Sequence, residues 1–324
     1  MPPPTFMGKF VKKEVIVVGV EEDPHVSNTL KWLKKKNVGI KLYNLSQLPN
    51  IGYFNQLAFD AEYDENSLLW CRLAFLPGLD GSSSESLAHS MTLQSEWITF
   101  FRGLALSHAG PSINKVVDIF RWQNKIYQAK EFKRLSIKHP HTLVTRSLEA
   151  AEGFLKKCKG RCVMKLMSTP MPVLLPTGDT HLTWNTRLIT HETISRMRDD
   201  HAETSPLFLQ QCIEKAAEWR ITCFGRKIFA ARYMPDLGRD LSAVDWRDLH
   251  RRVKPEHLKL PSELERNVER LIEFTGLDAC TIDVGETADG EFVFFEVNPE
   301  GQWGWLDSDG SYSNAMAELL IENA

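Results

Sequence analysis

Hydrophobic residues change period along this chain, and the changes outline its elements. Val15 to Val20 form a short β-branched run (VIVVGV) followed by the polar EEDPH; helical spacing takes over from Val26 to Lys36, and GIKLYNL returns to strand character. A strand, a helix and a strand in that order predict the start of an open α/β sheet. No G-x-G-x-x-G follows the first strand, so the dinucleotide fingerprint is absent. The Ser-rich GLDGSSSES (78–86) interrupts the pattern ahead of a helical spacing from Leu87 to Leu106, and HAGPSIN (108–114) has the composition of a domain boundary.

A second unit begins at Lys125. Helices are predicted over Lys125–Leu135 and Leu148–Cys158, with HPHTLVT between them and the strand CVMKLM (162–167) after them. Three prolines in STPMPVLLPTGDT (168–180) predict a loop. A third unit opens at LFLQQCIEK (207–215) and continues as the strand pair WRITCFG and KIFAARY. It then passes through a helix from Pro261 to Thr275 and ends on ACTIDVGE and EFVFFEVNP, joined by the turn TADG (287–290). The expected domains are residues 1–114, 115–205 and 206–324, in an α/β (α+β) class, with no internal repeat.

Composition narrows the classes of function. With 324 residues, 43% of them hydrophobic and 25% charged, the chain has the bulk for two or three domains with real cores. A net charge of −3 supplies no global field to recruit nucleic acid or an anionic membrane. No apolar stretch approaches the ~20 residues needed to span a bilayer. The run at 15–20 follows a basic patch but lacks a small-residue cleavage site, and it reads as a first strand, not a signal peptide. Six cysteines without zinc spacing read as free thiols, which places the expected protein in a reducing cytoplasm.

Three clusters carry chemistry. On the last two strands, Asp283 lies in TIDV and Glu296 and Asn298 in FEVN. If these strands pair, the period of two puts Glu296 and Asn298 on one face, and Asp283 can project onto it. Two carboxylates and an amide oxygen form a hard-oxygen set suited to Mg²⁺. The bland alternative, unrelated polar residues on a half-solvated face, is disfavoured by how apolar these strands otherwise are. Next come lysines: Lys165 sits alone in VMKLM and Lys125 opens the second unit. An ammonium among apolar residues is costly unless it meets an anion, although either side chain could snorkel to solvent. The third cluster is LFLQQCIEKAAEWRITCFG, where a strand turns into a polar stretch that can offer backbone groups to an adenine edge. Glu218 is the candidate for ribose hydroxyls and Arg220 for phosphate or an acyl group, the alternative being a surface ion pair between the two.

In this order the pieces resemble the ATP-grasp superfamily: Lys125, Lys165, a hinge at Gln211, Cys212 and Ile213 with Glu218 beyond it, and a D…E-x-N set at Asp283, Glu296 and Asn298. The likeness covers about residues 115–300, and the opening β-α-β unit is similar to the superfamily's N-terminal pre-ATP-grasp domain. It implies that fold, with a small central domain and a C-terminal domain carrying the metal site. FEVNPEGQWGWLD resembles more narrowly the signature of graspetide synthetases, macrocyclases that mature ribosomal peptides such as the microviridins, and IEKAAEWRITCFGRKIFAARY and HTLVTRSLEAAEGF agree with it. The chain departs from the superfamily pattern at Gln211, where glutamate is common, at the Pro-rich loop 168–178, and at Thr281, where many ligases place an arginine. Arg220 or Arg232 is then the expected cation for the acyl-phosphate.

The resemblance implies ATP and Mg²⁺ as cofactors. It also implies a ribosomal precursor peptide, leader plus core, as partner, whose Glu or Asp side chains are activated and joined to Thr or Ser hydroxyls or Lys amines. Lys125 and Lys165 would hold phosphate, Gln211 to Ile213 adenine, and Pro299 to Trp305 a wall beside the ligands. The leader is expected on the small domain, against Met171, Val173, Leu174 and Leu175. Competing expectations are an ATP-grasp ligase for free amino acids or a protein C-terminal tail, and a nucleotide-binding protein without catalysis. The oligomeric state is left open, with a homodimer as one candidate.

Overall fold

The computed structural model describes residues 14–45, 66–73, 84–167, 186–199, 206–234 and 253–324. They divide into two units. In the first, β1 (Glu14–Gly19), β2 (Gly39–Asn44), β3 (Leu68–Cys71) and β4 (Ser112–Ile113) run parallel in the order β2-β1-β3-β4. Val15 to Val18 of the central β1 have no exposed surface, as a parallel strand covered on both faces requires. Helix α1 (Pro24–Lys35) begins where the sequence supplies a cap and a first-turn proline: the Asp23 carboxylate accepts from the His25 amide at 2.9 Å. The C-terminal half of α2 (Ser84–Ser107) buries Phe101 and Leu104 in this unit. The C-terminal helix α8 (Ser311–Asn323) packs on α1, with Lys36 Nζ 3.1 Å from Glu318 Oε1. Residues 303–324 thus join the N-terminal unit.

The second unit contains two antiparallel sheets. In the smaller, β5 (Thr142–Thr145), β6 (Cys162–Lys165), β7 (Arg187–Ile189) and β8 (Leu207–Gln211) are ordered β5-β8-β6-β7. This sheet draws strands from both sides of residue 205. Its core joins Leu207 and Leu209 to Ala151 and Leu155 of α5 (Leu148–Lys157) and to Ile194 of α6 (His191–Asp199). The larger sheet orders β9 (Ala217–Phe224), β10 (Lys227–Tyr233), β11 (Glu256–His257), β12 (Ala279–Glu286) and β13 (Phe292–Asn298) as β11-β10-β9-β12-β13.

One face of that sheet is apolar. Trp219, Ile221, Ile282, Val284 and Val297 pack with Leu264, Val268 and Leu271 of α7 (Ser262–Thr275), Trp122 of α3 (Val116–Gln123) and Phe132 of α4 (Lys125–Arg134). Parallel and antiparallel sheets with covering helices make the chain a mixed α/β fold, as its periodicity predicts. All six cysteines are free. No helix among the described residues is long and apolar enough to cross a membrane.

Candidate active site

Strand alternation builds the site. On β9, Trp219, Ile221 and Cys223 enter the core, so Glu218, Arg220 and Thr222 occupy the other face. Register then sets rows across three strands: Arg220 opposes Asp283 and Asp283 opposes Glu296, while Thr222 opposes Thr281 and Thr281 opposes Asn298. Two carboxylates directly opposite each other repel, and each is held by a cation. Arg220 Nη1 donates to both Asp283 oxygens at 2.7 and 2.9 Å, with both residues buried. Lys125 Nζ lies 3.1 Å from Glu296 Oε1.

The turn after β13 is tied to this row. Arg220 Nη2 donates to the Gln302 carbonyl at 3.0 Å, Asn298 Oδ1 accepts from the Glu300 amide at 3.1 Å, and the Gly301 amide donates to the Asn298 carbonyl at 3.1 Å. Gly301 lies so close to Thr281 that a Cβ would overlap that side chain. An arginine at position 281 has no room there, and Arg220, one strand over, meets Asp283 in its place. Trp303 is buried against His25 of the first unit, edge to face at a centroid separation of 4.5 Å, while Trp305 is 37% exposed. Of the segment Pro299 to Trp305, expected as a wall, Trp303 thus packs on His25 instead.

A β-bulge supplies a residue that the sequence pattern hides. The β12–β13 register shifts between Asp283 and Val284, leaving Phe295 without an opposite partner. Its ring crosses Gly285, where a Cβ would stand 2.7 and 2.8 Å from ring atoms, so that position tolerates only glycine without a shift. Lys165 Nζ and Lys215 Nζ lie 5.5 and 5.4 Å from the ring centroid, within cation–π range. Lys215 also pairs with the buried Glu218 at 2.5 Å, so Glu218 and Arg220 have separate partners and do not form the surface pair that alternation allowed.

Lys125 and Lys165 line one recess with Phe208, Gln210 and Phe295. Phe208 continues into an open cleft lined by Gln211, Cys212, Ile213, Lys215 and Met234. The structure thus brings Lys125, Asp283, Glu296 and Arg220 into one row, and Lys165 to the neighbouring Phe295.

Arg232 stands apart. It opposes Trp219 and so occupies the core face, where Nε and Nη2 each lie 2.9 Å from a Glu286 carboxylate oxygen. Burial raises the Glu286 carboxyl, but hydrogen bonds from Arg232 and from Trp219 Nε1 outweigh it and hold the group below its ordinary range. Arg232 is therefore a structural cation on the far face, which corrects its expected place beside the acyl group. The loop 168–178 and the apolar residues Met171, Val173, Leu174 and Leu175 lie outside the described residues.

The donor chemistry of Asp283, Glu296 and Asn298, two carboxylates and an amide oxygen on adjoining rows, fits a hard cation such as Mg²⁺. Lys125 and Arg220 supply the charge balance for these acids in the structure as it stands.

No protein-family model matches the sequence, and no curated protein does. Solved structures do. Macrocyclase MdnC from Microcystis aeruginosa MRC, bound with precursor peptide MdnA, is 22% identical with a TM-score of 0.76, over 96% of this chain and 100% of that one. A Chryseobacterium gregarium RiPP-associated ATP-grasp ligase, in complex with ADP and a leader and core peptide, is 22% identical with a TM-score of 0.77, over 96% and 97%. ATP-grasp ligase PsnB, with a minimal precursor variant, Mg and ADP, is 16% identical with a TM-score of 0.72, over 96% and 98%. The chain has their fold, the ATP-grasp fold.

Proposed function

We propose that this protein is an ATP-dependent ligase that closes rings in a ribosomally made precursor peptide. It activates Glu or Asp side chains as acyl-phosphates and passes them to Thr or Ser hydroxyls or Lys amines. The observation that carries this reading is the row Arg220–Asp283–Glu296–Lys125, paired carboxylates each balanced by a cation, on a fold shared with ligases solved with precursor peptides and ADP.

Each residue has a role that its position supports. Asp283, Glu296 and Asn298 hold Mg²⁺, which when bound supplies positive charge against the charge developing on the transferred phosphoryl group. Lys125 exchanges Glu296 for a phosphate oxygen when nucleotide enters, and Lys165 in the same recess takes another. Gln211 to Ile213 offer backbone groups to adenine, Phe295 lines the recess of the two lysines, and Glu218, braced by Lys215, takes ribose hydroxyls. Arg220 orients Asp283, since its guanidinium is already bound to both oxygens of that carboxylate.

The peptide carboxylate attacks the γ-phosphorus and ADP leaves. The hydroxyl or neutral amine then attacks the acyl carbon, and phosphate departs with one oxygen of the original carboxylate, the nucleophile's proton leaving with the phosphate. Shielding from water is essential, because the acyl-phosphate would otherwise hydrolyse.

The test is mass spectrometry after incubating the enzyme, ATP and Mg²⁺ with Thr- and Glu/Asp-rich peptides encoded beside its gene. Loss of one water per ring with ADP formation is the expected result. Turnover of free amino acids as fast as any peptide would replace this reading with that of a general amino-acid ligase. Cytoplasmic location follows from the same reading, because the substrates are ATP and an unprocessed ribosomal peptide.

A further inference from the structure

We infer that Gln128 is a positioning residue that fixes the strand bearing two of the three metal ligands. The inference rests on the ligase reading above. Among the described residues β13 is the edge strand of its sheet, so one row of its backbone N–H and C=O groups has no described strand beside it. At Val297, between Glu296 and Asn298, the side-chain amide of Gln128 takes both outward groups. Oε1 accepts from the Val297 amide at 2.8 Å, and Nε2 donates to the Val297 carbonyl at 2.9 Å. A primary amide here makes the donor–acceptor pair that a neighbouring strand would make. Nε2 also donates to the Trp122 carbonyl, and Gln128 is 2% exposed, so the amide is held from both sides.

The position matters because of the bulge. A bulge weakens the ladder where it sits, and here it falls at Phe295, immediately before the ligands. On the outer edge, the Phe294 amide donates to the Lys138 carbonyl at 2.8 Å on one side of the bulge, and Gln128 grips Val297 on the other. Fixing both peptide groups of Val297 fixes the backbone from which Glu296 and Asn298 project. One turn earlier on α4, Lys125 pairs with Glu296, so one helix both sets the ligand strand and carries the cation that faces it. Nothing in the pattern of apolar residues marks Gln128, which lies on a helix of mostly polar composition.

The variants are Gln128→Leu, which removes all three hydrogen bonds at similar volume, and Gln128→Glu, which keeps the bond from the Val297 amide but turns a carboxylate toward two carbonyls. Mn²⁺ is the probe, its binding to the protein–ADP complex read by electron paramagnetic resonance, alongside calorimetry of ADP without metal. Residues that orient ligands typically set metal affinity by about 10- to 100-fold, and a loss of that size is expected in both variants, with metal-free ADP affinity within about twofold of wild type. The inference is overturned if folded variants bind Mn²⁺ as wild type does, or if Mn²⁺ and metal-free ADP affinities fall together. It is equally overturned if both variants simply unfold, since a structural role would then suffice. A wild-type protein that binds ADP with no Mn²⁺ would instead overturn the ligase reading.

Discussion

Two buried arginine–aspartate pairs, one in each unit, are built alike and serve different ends. In the first unit Arg72 Nε donates to Asp23 at 2.7 Å; in the second, Arg220 Nη1 reaches both oxygens of Asp283 at 2.7 and 2.9 Å. Asp23 spends its remaining capacity on scaffold. It caps α1 and accepts from His25 Nδ1, and His25 Nε2 in turn accepts from the Trp303 and Gly304 amides at 2.8 and 2.9 Å. That acceptance fixes His25 as the neutral tautomer protonated on Nδ1. Asp283 stands beside a second carboxylate, Glu296, whose own cation is Lys125, a residue that lines a recess. Burial is common to both pairs; what separates support from chemistry is whether a second, exchangeable charge adjoins the first.

Substitutions can break this contrast in either direction. The largest effect is expected from Glu296→Gln. If Glu296 holds the metal as proposed, its loss costs several kcal/mol in the transition state, at least about a hundredfold in ring formation, while the melting temperature stays near wild type. Asp23→Asn should do the reverse. Removing one partner of a buried pair costs about 3–5 kcal/mol in chemical denaturation, with turnover per folded molecule unchanged. Asp283→Asn should join both effects, because it strips a proposed ligand and leaves Arg220 buried beside a neutral amide. If Asp283→Asn melted like wild type, the likeness of the two pairs would fail.

Acid unfolding sharpens the same comparison. Burial alone would raise the Asp23 carboxyl, but His25 and Arg72 outweigh it and hold the group well below its ordinary value of 3.8. With the folded-state value depressed, the contribution of Asp23 is complete above about pH 4 and drains away as pH falls toward the folded value. Tryptophan fluorescence should therefore follow a steeper acid limb in wild type than in Asp23→Asn. A smaller effect is expected at Gly285→Ala, where a methyl group meets the Phe295 ring. Overpacking costs about 1–3 kcal/mol, to be read as weaker ADP binding by calorimetry. Smallest is Arg232→Met on the far face, which should cost about 1 kcal/mol of stability and leave ring formation unaltered.

Much of the site was legible because its strands obey a period of two. In EWRITCF the apolar Trp219, Ile221 and Cys223 assign Glu218 and Arg220 to the opposite face, and TIDV and FEVN do the same for Asp283, Glu296 and Asn298. The place of Arg232 follows from register: a two-residue turn at Gly225–Arg226 pairs Phe224 with Lys227, and counting outward puts Arg232 opposite Trp219. Phe295 could not be found that way, because a bulge breaks the period at the residue that matters. Gln128 and Lys215 were hidden for another reason, since polar residues on polar segments carry no pattern until a partner distant in sequence defines them. The same holds for α8, whose place on α1 depends on contacts nearly three hundred residues apart.

The central claim is that a carboxylate is activated by phosphorylation at the Asp283–Glu296 row. Its most direct test follows oxygen. A precursor peptide labelled with ¹⁸O in its Glu and Asp side-chain carboxylates is incubated with enzyme, ATP and Mg²⁺, and the released phosphate is weighed by mass spectrometry. The account predicts one labelled oxygen in phosphate for each ring closed, with ring closure and label release falling together, at least about a hundredfold, in Glu296→Gln. Rings that close while the phosphate stays unlabelled would contradict it.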